Sequence, residues 1–192
     1  MPSHTKSFIS IFVFLVCFYG VKSQVPFLGP CQHIETVKGF DAARYMGRWY
    51  EAERYFAFFE IGGKCVTADY QLNNGSVDVF NRQINEGSGE PTSIKGIARI
   101  VGRSDEGKLN VRFPSLPVQF DAPYWVLDTD YENYALVWSC VDFGLFNAKN
   151  AWILTRARNP TPDIIQKVHS IADKLHVDRT FFSKTDQSNC PN

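Results

Sequence analysis

From Arg48 to Arg156 the chain is a succession of short runs rich in β-branched and aromatic residues, each ended by Gly, Asn, Asp or Pro. That rhythm predicts an antiparallel all-β domain. The runs are Arg48 to Phe56, Cys65 to Leu72, Ser76 to Ile84, Ser93 to Val101, Lys108 to Phe113, Tyr124 to Thr129, Tyr134 to Cys140 and Ala151 to Arg156. Asn73-Asn74-Gly75 separates the second from the third, and an Asn-Gly pair between alternating runs signals a tight hairpin because both residues tolerate positive φ. Eight strands are about the number at which an up-and-down β-barrel closes around one small ligand. A flat sandwich accommodates the same count.

Alternation indicates which side chains face inward. Val66, Ala68 and Tyr70 oppose Thr67 and Asp69; Val77, Val79 and Asn81 oppose Asp78 and Arg82; Leu109, Val111 and Phe113 oppose Asn110 and Arg112. The first set of each pair is expected inside. Gly96 and Ala98 fall among the inward positions of the fourth strand, where they are expected to leave room. Downstream, Ile164, Ile165, Val168, Ile171, Ala172 and Leu175 recur at helical spacing behind Thr161 and Pro162, an N-cap and first-turn pair. One C-terminal α-helix is therefore expected to pack outside the barrel, and Arg179 to Thr185 offers a last short strand.

With 192 residues and 44% hydrophobic letters, the chain suits one domain. The apolar run from Phe8 to Val21 is shorter than the about 20 residues a membrane-spanning helix needs. It follows Lys6 and precedes a small-residue site, so residues 1–23 read as a cleaved secretory signal and 24–192 as the mature domain. Loss of Lys6 and Lys22 leaves a slightly acidic protein with no basic footprint for nucleic acid. It also removes Cys17, leaving Cys31, Cys65, Cys140 and Cys190; two disulfides are expected, with three pairings open. His33, His169 and His176 show no metal-ligand spacing, and the acids of residues 128–132 suit solvated or turn-capping roles better than acid/base catalysis. Asn74-Gly75-Ser76 is an N-glycosylation acceptor as well as a turn.

Three groups of residues in this order resemble the lipocalins: Gly47-Arg48-Trp49-Tyr50 on the first strand, Thr129-Asp130-Tyr131 between the sixth and seventh, and Arg156 ending the eighth. The likeness continues through Ala122 to Cys140, Ala151 to Arg156 and Thr185 to Pro191, over nearly the whole mature chain. It implies a closed barrel, open at one end, with the C-terminal helix alongside. By this resemblance Trp49 plugs the closed end, Arg156 lies across it, Gly47 allows the tight turn below, and Thr129 and Asp130 belong to the same closure. The family's disulfide pairing, carried over, joins Cys31 to Cys140 and Cys65 to Cys190.

The resemblance also implies a largely apolar cavity for one small hydrophobic ligand, such as a steroid, fatty acid or retinoid, with no cofactor. Alternation and matching family positions give Tyr70, Asn81, Phe113, Tyr124, Leu136 and Trp152 as lining residues, with aromatic contact area and a few polar groups to orient the guest. Phe56, Phe58 and Phe59 follow the first strand and belong at the open end. They either fold inward as a lid, the favoured reading because an uncovered patch invites aggregation, or face outward to touch a membrane or lipoprotein surface. Phe143, Leu145 and Phe146 are expected nearby. A bilin-binding pigment protein is the alternative carrier. A lipid-modifying enzyme of the thiolate type is disfavoured, because every mature cysteine is assigned to a disulfide.

Overall fold

The computed structural model describes residues 27–56, 62–117 and 120–191; the expected secretory segment, 1–23, lies outside them. All eight expected strands form: β2 (Gly47–Tyr55), β3 (Gly63–Asn73), β4 (Ser76–Asn85), β5 (Pro91–Ile100), β6 (Lys108–Arg112), β7 (Ala122–Thr129), β8 (Tyr134–Asp142) and β9 (Phe146–Thr155). Only β9 begins well before its expected start, because Asn147, Lys149 and Asn150 conceal a strand behind polar letters. Each strand from β2 to β9 is antiparallel to the next, and β9 returns to β2 from Tyr50↔Thr155 to Arg54↔Trp152. That last ladder closes the barrel and excludes the sandwich. Short strands β1 (Phe27–Leu28) and β10 (Phe182–Lys184) add to the edges of β9 and β2 beyond the closure. The β3–β4 turn carries positive φ at both Asn74 and Gly75, as the sequence signal requires, and both are exposed.

Two apolar layers result. Inside the barrel, Ala68, Tyr70, Val77, Val79, Leu109 and Val111 pack with residues of β7, β8 and β9. Outside it, α2 (Pro162–Lys174) lays Val168 and Ala172, fully buried, on β8 and β9. Thr161 occupies the N-cap of α2, although its hydroxyl makes no cap hydrogen bond. His169 reaches back from α2 to Glu53 of β2 at 2.7 Å, a packing contact between layers.

Two inward readings are corrected. Leu136 belongs to the outer layer, buried under α2 among Tyr134, Trp138 and Ile153. Strand β8 reads YALVWSC, apolar on both faces because the helix covers its outside, so alternation cannot say which face is which. Gly96 leaves no free room: a Cβ there would lie 2.8 Å from the ring of Phe113, which already fills the position.

The disulfides are Cys31–Cys140, tying the N-terminal segment to β8, and Cys65–Cys190, tying the tail to β3. The tail is further held by Gln187, whose Nε2 donates to the carbonyls of Glu51 and Val66 at 3.0 and 2.8 Å.

Strand direction places the connections 74–75, 101–107 and 130–133 at one end and the ends of β2, β4, β6 and β8, at Tyr55, Asn85, Arg112 and Asp142, at the other. The first end is closed. Trp49, fully buried, donates its indole N–H to the Tyr45 carbonyl at 2.9 Å. The Arg156 guanidinium lies 3.7 Å from the Trp49 ring centroid and donates to five carbonyls, those of Arg44, Tyr45, Met46, Arg48 and Tyr131. Gly47, at φ +93, brings the chain under that guanidinium; a Cβ there would face Arg156 Nη1 at 3.4 Å. Thr129 donates to the Tyr134 carbonyl and accepts from the Tyr131 N–H. Asp130 takes the capping role: burial opposes its ionisation, but N–H donors from Glu132, Asn133 and Tyr134 hold its carboxyl below the usual range.

Removing the guanidinium leaves several carbonyls without their donor. Arg156→Met should therefore lower unfolding free energy by about 3 kcal/mol, and Arg156→Lys, which keeps the charge but not the fork, should recover less than half of that. Urea unfolding followed by tryptophan fluorescence checks both; a loss below about 0.5 kcal/mol, the level of an ordinary surface change, would contradict this role.

Candidate functional site

The barrel interior above Trp49 is a cup whose floor is aromatic. Asp41 accepts from the N–H groups of Ala43 and Arg44 and so starts α1 (Ala42–Tyr45), a single turn that delivers Tyr45 beneath the barrel. The Tyr45 ring lies 5.1 Å from Trp49, 5.3 Å from Phe40 and 5.8 Å from Tyr70, nearly parallel to the last. Its hydroxyl meets that of Tyr124 at 2.9 Å, and Tyr124 meets Tyr70 at 3.0 Å. Three hydroxyls from α1, β3 and β7 thus form one chain across the floor.

Above them Met46, Asn81, Phe113 and the aliphatic side chains of β4, β5 and β6 complete the wall. The free cavity measures about 40 Å³. Among the described residues, no lining side chain is an acid or a base. Burial pushes the Tyr45 and Tyr124 phenols well above their ordinary pKa; Tyr45 and Tyr70 add to the shift of Tyr124, whereas for Tyr45, Tyr70 adds and the Tyr124 hydrogen bond and Arg156 oppose, and both phenols are neutral in the folded protein. The Asn81 Oδ1 atom is buried and accepts no hydrogen bond.

Of the six lining residues expected from sequence, Tyr70, Asn81, Phe113 and Tyr124 meet at this cavity. Trp152 packs against the inner cluster but does not reach the cavity wall, and Leu136 faces α2. Tyr45 and Met46 were not expected. They precede the first strand, and the readable sign of their placement was Asp41 before Ala-Ala-Arg, a helix start that lifts them under the barrel.

At the mouth, Phe56 is about half exposed, and Phe58 and Phe59 lie outside the described residues. Phe143, Leu145 and Phe146 are exposed in the β8–β9 connection and at the start of β9, and Leu116 and Phe120 in the β6–β7 connection. Phe56, Leu116, Phe120, Phe143, Leu145 and Phe146 belong to the open end. The four cysteines among the described residues are all in disulfides.

The sequence profile of a lipocalin-like domain matches residues 40–187. Over 189 residues, 95% of this chain and 98% of the relative, the sequence is 38% identical to apolipoprotein D of Mus musculus. It is 34% identical to the Lazarillo protein of Schistocerca americana over 162 residues, 82% of this chain and 75% of that one. Among solved structures, insecticyanin from the tobacco hornworm Manduca sexta superposes with a TM-score of 0.78 at 24% identity, covering 87% of this chain and 91% of its own, a likeness of fold.

The buried phenols make stability depend on alkaline pH. Their folded pKa values lie above the unfolded value of about 10, so the stabilisation is complete below that pH and is lost as pH rises through the folded values. The urea midpoint is expected to fall above about pH 10, less steeply in a Tyr45→Phe, Tyr124→Phe double variant. Phenolate absorbance should show both groups ionising only with unfolding; their ionisation in the folded protein near the ordinary pKa would contradict the arrangement.

Proposed function

The chain belongs to the lipocalin family, and from that footing we propose that it is a secreted carrier that takes one small hydrophobic molecule into the barrel. The observation that carries this reading is the uncharged aromatic cup above Trp49, closed below and open above. Its free cavity of about 40 Å³ is far smaller than small-molecule sites, which run from about 300 to 1,000 Å³. Because the enclosed part is narrow, a lipid-sized guest requires side chains near the mouth, Phe113 among them, to swing aside.

Magnitudes set the expected affinity. Covering about 300 Å² of apolar ligand surface contributes about 7.5 kcal/mol at about 25 cal/mol/Å², before immobilisation costs. A dissociation constant of about 1 μM corresponds to about 8.2 kcal/mol. Micromolar binding therefore needs polar contacts in addition to burial. Steroids, fatty acids and retinoids fit this scale. A bilin is the alternative guest, and visible absorbance of material purified from its source distinguishes it. With the described cysteines all in disulfides, no thiolate among them is available for nucleophilic chemistry, which supports carriage over catalysis.

The second part of the reading concerns the mouth. Phe56, Leu116, Phe120, Phe143, Leu145 and Phe146 are exposed together at one end, an arrangement suited to contact with a lipid surface from which a guest is collected. The half exposure of Phe56 favours this outward reading over a lid.

Protein recovered from the medium of expressing cells is expected to bind N-phenyl-1-naphthylamine, a neutral fluorescent hydrophobe, with a dissociation constant of about 1–10 μM. Ala98→Phe and Val111→Phe, which fill the cup, should weaken binding at least about tenfold while costing about 1–3 kcal/mol of stability. Retention inside the cells would remove the secreted part, and full binding by both filled variants would remove the cup. For the mouth, Phe143→Ser with Leu145→Ser should reduce flotation with phosphatidylcholine liposomes several-fold; unchanged flotation would exclude contact through that connection.

A further inference from the structure

The polar groups of the cup are not neutral bystanders to what it accepts. Asn81 sits on β4 with Ala68 and Ile94 as its register partners on β3 and β5, and its side chain lines the cavity. Its Oδ1 is buried without a donor. A buried acceptor with no donor from the described residues takes its hydrogen bond from cavity water or from an occupant that presents an O–H or N–H. An occupant that presents lone pairs there meets oxygen with oxygen.

Charge points the same way. Among the described residues no lining side chain is cationic, so an ionised head would lose its hydration with no counter-charge from them. The charge that acts on the floor is Arg156, and its guanidinium lies below Trp49 with its N–H groups directed at five main-chain carbonyls. The neutral hydroxyls of Tyr45, Tyr70 and Tyr124 both donate and accept, so they suit a hydroxyl oxygen in the same cavity.

We propose that the cup selects an uncharged hydrophobe bearing a hydroxyl head, with Asn81 as the residue that recognises the O–H, and discriminates against the corresponding carboxylate. This rests on the barrel being a ligand site. It narrows the guest from hydrophobes in general to lipophilic alcohols, a class that includes sterols and long-chain alcohols.

Displacement of N-phenyl-1-naphthylamine by three matched chains tests the proposal on the unmodified protein at neutral pH: 1-dodecanol, dodecyl methyl ether and dodecanoate. Dodecanol is expected to displace the probe about tenfold more effectively than the ether, which lacks the O–H, and at least as far ahead of dodecanoate. Asn81→Leu should bring the alcohol and the ether within about twofold of each other, each read relative to the variant's own probe affinity, with an unchanged thermal midpoint showing that the fold persists. Dodecanoate equal to or better than dodecanol would overturn the charge argument, and an ether equal to the alcohol in the unmodified protein would overturn the role of Asn81. Either failure leaves probe binding intact. Absence of any probe binding would instead overturn the carrier reading and this proposal together.

Discussion

The closed barrel depends on one cation held against one indole. A rolled sheet of eight strands has two open ends, and a hollow open at both is a wet channel rather than a dry cup. Arg156 removes one opening by drawing five carbonyls from two chain segments, 44–48 and the turn at Tyr131, toward a single planar group stacked on Trp49. A lysine carries the same charge but not the fork, and no neutral side chain offers so many donors in one plane. Around this contact the turn of residues 129–134 and the single turn α1 find their places.

The floor and the wall then divide the work. Tyr45 is both the upper surface of the plug and the lower surface of the cup: its carbonyl faces Trp49 and Arg156, while its hydroxyl joins the chain with Tyr124 and Tyr70. Closure below and chemistry above are thereby mechanically connected. Outside the barrel, α2 and the disulfide-tethered tail cover β8, β9 and β2, so the wall is supported from behind and does not need a filled interior to keep its shape.

Much of this was legible in the letters. Turn residues marked the strands, helical spacing marked α2, and alternation found the inward faces of β3, β4 and β6, because each of those strands has polar letters on its other side. Where both faces are buried, as in β8, the period-two signal vanishes, and Leu136 was placed on the wrong side. Local pattern also could not show Tyr45 and Met46 entering the cup, since their position is fixed by α1 docking on a barrel assembled from residues far along the chain. The pairing of Cys31 with Cys140 and Cys65 with Cys190 came from family likeness; spacing alone left it open.

The missing side chain at residue 96 has a wider meaning. It accepts the Phe113 ring where any larger residue would collide, so bulk added at 96 must displace an aromatic that lines the hollow. Backbone and guest thus compete for one volume through a single ring, at a point remote from the seal and the cross-links.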